Sequence, residues 1–168
     1  MKMQPWSGNG TMVNLGAVWG WRLLSPGAPF TEALPFGTEG NRKAMIILTD
    51  GRNFFSGVSS RCRSTNPKYS SQYTGYGYLS EGRLSGATNR FVAQQRLNER
   101  LLTVCNNIKD AGVIVYTIVF QLRDQPTQAL FEACASDREK FFNSPSAENL
   151  RTAFRAIGAE LSNLRISR

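Results

Sequence analysis

The sequence predicts an α/β fold: a mostly parallel sheet with helices on both faces. Three observations carry that expectation. Short apolar runs that suit strands alternate with longer segments whose apolar residues recur at helical spacing. "VIVYTIVF", residues 113 to 120, is the chain's richest stretch in β-branched residues. "AMIIL", 44 to 48, is an almost wholly apolar run that stops at Thr49, Asp50 and Gly51.

Taken in order, Met12, Leu15, Gly16, Trp19 and Leu23 mark a helix over 12–24. "GNGT" leads into it and sets Thr11 at or near the N-cap. "SPGAP" ends it, and 25–42 read as a loop. The apolar run to Leu48 then suits a strand buried on both faces. Residues 52–88 have no clear periodicity, and a connection of that length is functional or disordered. They hold Tyr69, Tyr73, Tyr76 and Tyr78, four of the five tyrosines, with a single acid, Glu81. Rigid amphipathic rings among Ser, Gly and Arg suit a binding loop, against a mobile loop with no partner. A helix follows from about Asn89 to Ala111, striped by Leu97, Leu101, Cys105 and Ile108 and stopped by Gly112. The strand at 113–120 comes next, then a short helix opened by Pro126. "KFFNS" reads as a short edge strand. Ser146 caps a last helix carrying Leu150, Ala153, Phe154, Ile157, Leu161 and Leu164. The "WGW" tryptophans suit helix-face packing rather than a ligand platform.

Composition narrows the chemistry. The 168 residues fit one domain, 41% hydrophobic and 19% charged, a globular balance. No stretch is apolar enough for a membrane span, and "MKMQPWSGNGT" is not a secretory signal. The chain is therefore expected either to be cytosolic or to lack an upstream targeting segment. There is no histidine, which removes the commonest general base and transition-metal ligand. Cys62, Cys105 and Cys134 fit no zinc spacing, and a nucleophilic Cys would lack its usual imidazole partner. No catalytic residue is expected. The net charge of +8 favours acidic partners, but the basic residues are scattered, so no nucleic-acid binding is expected. Two other readings remain for comparison. A metal-assisted hydrolase would need a second carboxylate beside Asp50, and a basic nucleic-acid binder would show salt-dependent retention on duplex DNA.

In a parallel sheet ligands sit beyond the carboxyl ends of the strands. Asp50 stands at such an end, as a site residue or as the former of an Asp-Gly turn. "ILTDG" resembles the third metal-site motif of von Willebrand factor A (VWA) domains. "GNGTMVNLGAVWGWRLLSP" resembles the second, in which Thr11 would be the metal-site threonine. Residues 77–120 with "LFEACAS" and "KFFNSPSAENLRTAFRAIGAELSNLRISR" look like the C-terminal VWA region of TadG-like proteins of the tight-adherence (Flp) pilus system. The resemblance spans nearly all of 1–168, with 52–88 as a long insertion.

Several expectations follow from that resemblance. The fold would be Rossmann-like and doubly wound, of the VWA type, with its first strands missing. The function would be non-enzymatic protein interaction or adhesion, with partners in the pilus and envelope machinery. The parent would be membrane-anchored in the cell envelope and exposed outside the cytoplasm. The family's metal-ion-dependent adhesion site holds Mg²⁺ through oxygens from three loops. Here no Asp is followed by the Asp-x-Ser-x-Ser pattern, which leaves Thr11 and Asp50 as an incomplete site with weak or absent Mg²⁺ binding. Thr11 would then serve as a helix cap. The strand ending at Asp50 would present an open edge, so self-association is expected. Cys105 and Cys134 are either a disulfide, as an envelope protein permits, or two buried thiols.

Overall fold

A computed structural model describes residues 11–56 and 71–166, with side chains described as far as 162. Cys62 and Tyr69 lie outside the described residues. The chain forms α1 (Val13–Leu24), β1 (Ala44–Thr49), α2 (Arg90–Asp110), β2 (Ile114–Phe120), α3 (Gln125–Cys134), β3 (Phe141–Ser144) and α4 (Ala147–Ile166). Single 3₁₀ turns lie at Leu79–Glu81 and Arg138–Lys140. The three strands run parallel in the order β1-β2-β3. The fold is α/β and Rossmann-like, a small parallel sheet flanked by helices.

Helix ends follow local chemistry. Asn89 opens α2, its Oδ1 accepting the amides of Phe91 and Val92 at 3.1 and 3.0 Å. Gly112 closes it at φ 77°, with Gly112 N–H donating to Lys109 C=O and Val113 N–H to Ile108 C=O. Those two bonds form a Schellman stop, which needs the left-handed conformation that glycine adopts without steric cost. Asp124 caps α3 through the amide and hydroxyl of Thr127, with Pro126 in the first turn. Ser146 accepts the Asn149 amide ahead of α4.

The residues separate into two compact units, Met1–Gly16 with Asn53–Leu101, and Ala17–Arg52 with Leu102–Arg168. The second contains the sheet. β2 is its central strand, paired through Ala44↔Ile114 to Thr49↔Val119 on one side and Thr117↔Phe141 to Phe120↔Ser144 on the other. One face of β2 meets α4, where Tyr116 and Ile118 cluster with Ala153 and Ile157. On the opposite face the Thr117 hydroxyl donates to the Phe131 carbonyl of α3 at 2.8 Å. The structure joins Cys105 of α2 to Cys134 of α3 by a disulfide, both residues fully buried.

Two expectations need correcting here. β1 is not buried on both faces: Met45, Ile47 and Thr49 are buried, whereas Ile46 and Leu48 are 40% and 44% exposed. The helix on that face, α4, makes its sheet contacts with β2 and β3. In α1 the stripe is displaced, with Val13 and Ala17 buried and Trp19 and Leu23 exposed. The reason is close approach, since a Cβ on Gly20 would stand 3.2 Å from Met45 Cε. Trp19 instead lies edge-on to Phe30 at 6.4 Å, with the Arg22 guanidinium over its ring at 4.8 Å.

The loop after α1 is held by Lys43. Its ammonium donates to the carbonyls of Leu24 and Leu34 and lies 4.3 Å from the Phe36 ring centroid. The first unit has its own core of Phe55, Leu79, Leu84, Ala87, Ala93 and Leu97. The described part of 52–88 therefore buries apolar side chains rather than merely spanning a gap. Leu79, Leu84 and Phe55 supply a hydrophobic payload that no period announces.

Candidate functional site

The turn behind β1 answers whether Asp50 closes it. Thr49, buried, donates its hydroxyl to the Gly51 carbonyl at 2.6 Å and accepts the Gly51 amide at 3.2 Å. The hydroxyl two bonds from the backbone thus holds the turn. Asp50 is exposed, at the carboxyl end of β1. The turn-forming role belongs to its neighbour.

Thr11 lies in the first unit and Asp50 in the second. Thr11 forms a parallel bridge with Asn53, its carbonyl accepting the Phe54 amide at 2.9 Å. The cap expected of Thr11 is supplied from far along the chain: the Val13 amide donates to Asn53 Oδ1 at 3.0 Å. Asn53 Nδ2 then donates to Asn98 Oδ1 at 3.0 Å. Sequence reasoning missed Asn53, because a cap forty residues away leaves no local spacing to read. Its one local sign was a small amide directly after a turn. Asn14 was missed too. It is buried inside α1, and its Nδ2 donates to the Tyr76 hydroxyl at 2.5 Å.

The tyrosines separate by role. Tyr76 packs against the first unit's core, bonds Asn14, and carries the Arg100 guanidinium 4.9 Å above its ring. Thr74 and Gly77 exchange backbone bonds of 3.1 and 2.9 Å around it, a tight turn with Gly77 at φ 74°. Tyr73 is 68% exposed and meets Tyr78 edge-on at 5.1 Å. Tyr73 therefore presents aromatic surface, with Tyr78 half-buried against it, while Tyr76 is structural.

A hard cation needs several oxygen ligands in close array. Among the described residues no three acidic, thiol or imidazole groups converge. Of the two expected ligands, Asp50 supplies a single exposed carboxylate.

Among the described residues the most strongly perturbed titratable group lies elsewhere. Tyr116 is fully buried, and burial, followed by the Glu160 carboxylate, pushes its pKa up to about 12. Beside it Lys140 bridges Asp137 at 2.6 Å and Glu160 at 3.4 Å. The bond with Lys140 holds Asp137 below its ordinary value, and the bond with Asp137 raises Lys140. Asp137 also accepts the amides of Glu139 and Lys140, fixing the 3₁₀ turn ahead of β3. The cluster ties β2, β3 and α4 together.

A Rossmann-like α/β chain with an exposed carboxylate on the crest of its sheet is what these elements define. No family model matches it, and no curated protein matches it. Among solved structures it is similar to the pilus adhesin SpaC from Lactobacillus rhamnosus GG, with a TM-score of 0.50 at 19% identity. The match covers 93% of this chain and 19% of the adhesin, so the chain spans a small part of that protein's length. At that identity the likeness concerns the fold.

Proposed function

We propose that the chain is a non-enzymatic protein-interaction domain of the VWA type, acting in pilus-associated adhesion at the cell envelope. The observation that carries this reading is the placement of Thr49-Asp50-Gly51: it ends a parallel strand with the carboxylate exposed beyond the sheet, where ligands of such sheets sit. The fold shared with a pilus adhesin supports the adhesive role. The Cys105–Cys134 disulfide supports an oxidising compartment outside the cytosol. The resemblance to TadG-like proteins narrows the setting to Flp pilus assembly, with a protein partner from that machinery and a membrane anchor in a longer parent. Among the described residues no helix is long and apolar enough to cross a membrane. Mg²⁺ binds this chain weakly or not at all, and recognition rests on side chains such as Tyr73.

Deleting the coding sequence from its host tests this. Loss of surface attachment is expected, restored by the natural protein and restored only in part by Tyr73→Ala. Attachment and piliation equal to the parent strain after deletion would overturn the adhesive role.

A further inference from the structure

Helix α1 and the loop behind it share one exposed apolar surface, and two contacts make it continuous. The Lys43 ammonium bonds the carbonyls of both Leu24 and Leu34, which holds the loop against the end of the helix. Further back on the helix, Trp19 meets Phe30 edge-on. Trp19, Leu23 and Leu34 are 51%, 56% and 50% exposed, and all of these residues belong to the second unit. Their exposure does not depend on what lies beside β1. Ala17, which is buried, and Gly20, close to the Met45 side chain, are the residues that α1 turns to the sheet. Trp19 and Leu23 stand about 200° and 240° round the helix from Ala17, on its outer side.

Contiguous apolar patches on a protein surface mark places where something binds, and Trp and Arg are the residues that dominate interface energetics. Here the Arg22 guanidinium sits over the Trp19 ring. Arg22 is exposed and meets no carboxylate among the described residues. It is a cation fixed beside apolar side chains without a counter-ion of its own. Glu32, exposed between Phe30 and Leu34, would set a like charge against anionic lipid, so a membrane fits this face less well than a protein does.

We propose that this face binds an acidic amphipathic helix of a partner protein. The partner's apolar stripe rests on Trp19, Leu23, Phe30 and Leu34, and a carboxylate beside that stripe pairs with Arg22. Trp19 and Leu23 are four residues apart, about 6 Å along the axis of α1. That is the spacing at which a second helix presents its own apolar side chains at i and i+4. Arg22, backed by the net charge of +8, sets the sign of the partner's polar face. Such binding presupposes a protein-interaction domain but neither the adhesive role nor a part for Asp50, so the two readings stand or fall separately.

Isothermal titration calorimetry on the 168-residue chain at about 150 mM salt tests it. The probe is a synthetic helix of about 18 residues, with Leu along one stripe and Glu and Gln on the other side. Saturable binding at one site is expected. Trp19→Ala and Arg22→Glu each raise its Kd about tenfold or more. The same peptide with Lys in place of Glu binds about tenfold or more weakly. Both substituted side chains are exposed, so circular dichroism and an intact disulfide confirm that each variant folds. Absence of saturable binding overturns the assignment, as does binding indifferent to either substitution or a Lys peptide that binds equally well. Capture by vesicles of phosphatidylglycerol and phosphatidylcholine that Trp19→Ala abolishes would give the face to a membrane instead. A dimer seen by light scattering and lost in Trp19→Ala would give it to a second copy, and either result overturns the partner helix. Loss of surface attachment on deletion, with no peptide binding, would leave the adhesive role standing and remove this site alone.

Discussion

Asn53 uses both ends of its amide, accepting the Val13 amide that starts α1 and donating to Asn98 on α2. It is 1% exposed, so water cannot replace either bond. Asn53→Ala is expected to cost about 2–3 kcal/mol, a lost cap plus a buried partner left unsatisfied. Thr11→Val is expected to cost under about 0.5 kcal/mol, since the cap does not come from its hydroxyl. Urea unfolding of both variants checks the contrast. Tyr116 makes a second residue-scale prediction. Its folded pKa of about 12 lies above the ordinary 10.0. A raised folded pKa contributes stability that is complete below the unfolded value and is lost as pH rises through the folded one. Stability should therefore fall between about pH 10 and 12, and Tyr116→Phe should flatten that part of the profile. Ultraviolet phenolate titration would show the late ionisation of Tyr116 in the natural protein and its loss in the variant.

At the scale of elements, the disulfide joins α2 to α3 across a separation of 29 residues. Closing a loop of that length stabilises by roughly 3–4 kcal/mol through the unfolded chain. Replacing Cys105 and Cys134 together by Ala should lower the denaturation midpoint accordingly. Natural protein unfolded with reductant should match the double variant, whereas equal midpoints with and without reductant would contradict the bond. Most helices were legible because their ends are written locally. Asn89, Asp124, Ser146 and Gly112 act within a turn of where they stand. The buried stripe of α2, Leu97, Leu101, Cys105 and Ile108, is fully buried as its spacing implies. The stripe of α1 misled. Bulk and hydropathy favoured Trp19 and Leu23, but the helix buries Val13 and Ala17 and brings Gly20 close to the Met45 side chain.

For the whole molecule, charge sets the expectation for acidic partners. The net charge of +8 is scattered, and several cations are engaged: Lys43 holds carbonyls, Lys140 holds Asp137, and Arg22 covers Trp19. Binding to duplex DNA is expected only below about 100 mM salt, as diffuse attraction without a defined footprint. Filter binding across a salt series checks it, and retention at physiological salt would point to a real nucleic-acid surface.

By itself the amino-acid order determined the succession of elements, the parallel sheet it implies, the stop of α2 at Gly112 and the cap of α4 at Ser146. Such features depend on neighbours a few residues apart, where side-chain chemistry and backbone geometry are coupled directly. Only the tertiary structure decided that Thr49 rather than Asp50 holds the turn, that Asn53 rather than Thr11 caps α1, and that Ile46 and Leu48 face outward. Each depends on what approaches from far along the chain: an amide from beyond β1, or a helix that settles over β2 and β3 and leaves Ile46 and Leu48 exposed. A run such as AMIIL reads the same whether its second face meets a helix or water, because the sequence of a strand does not state who its neighbours are.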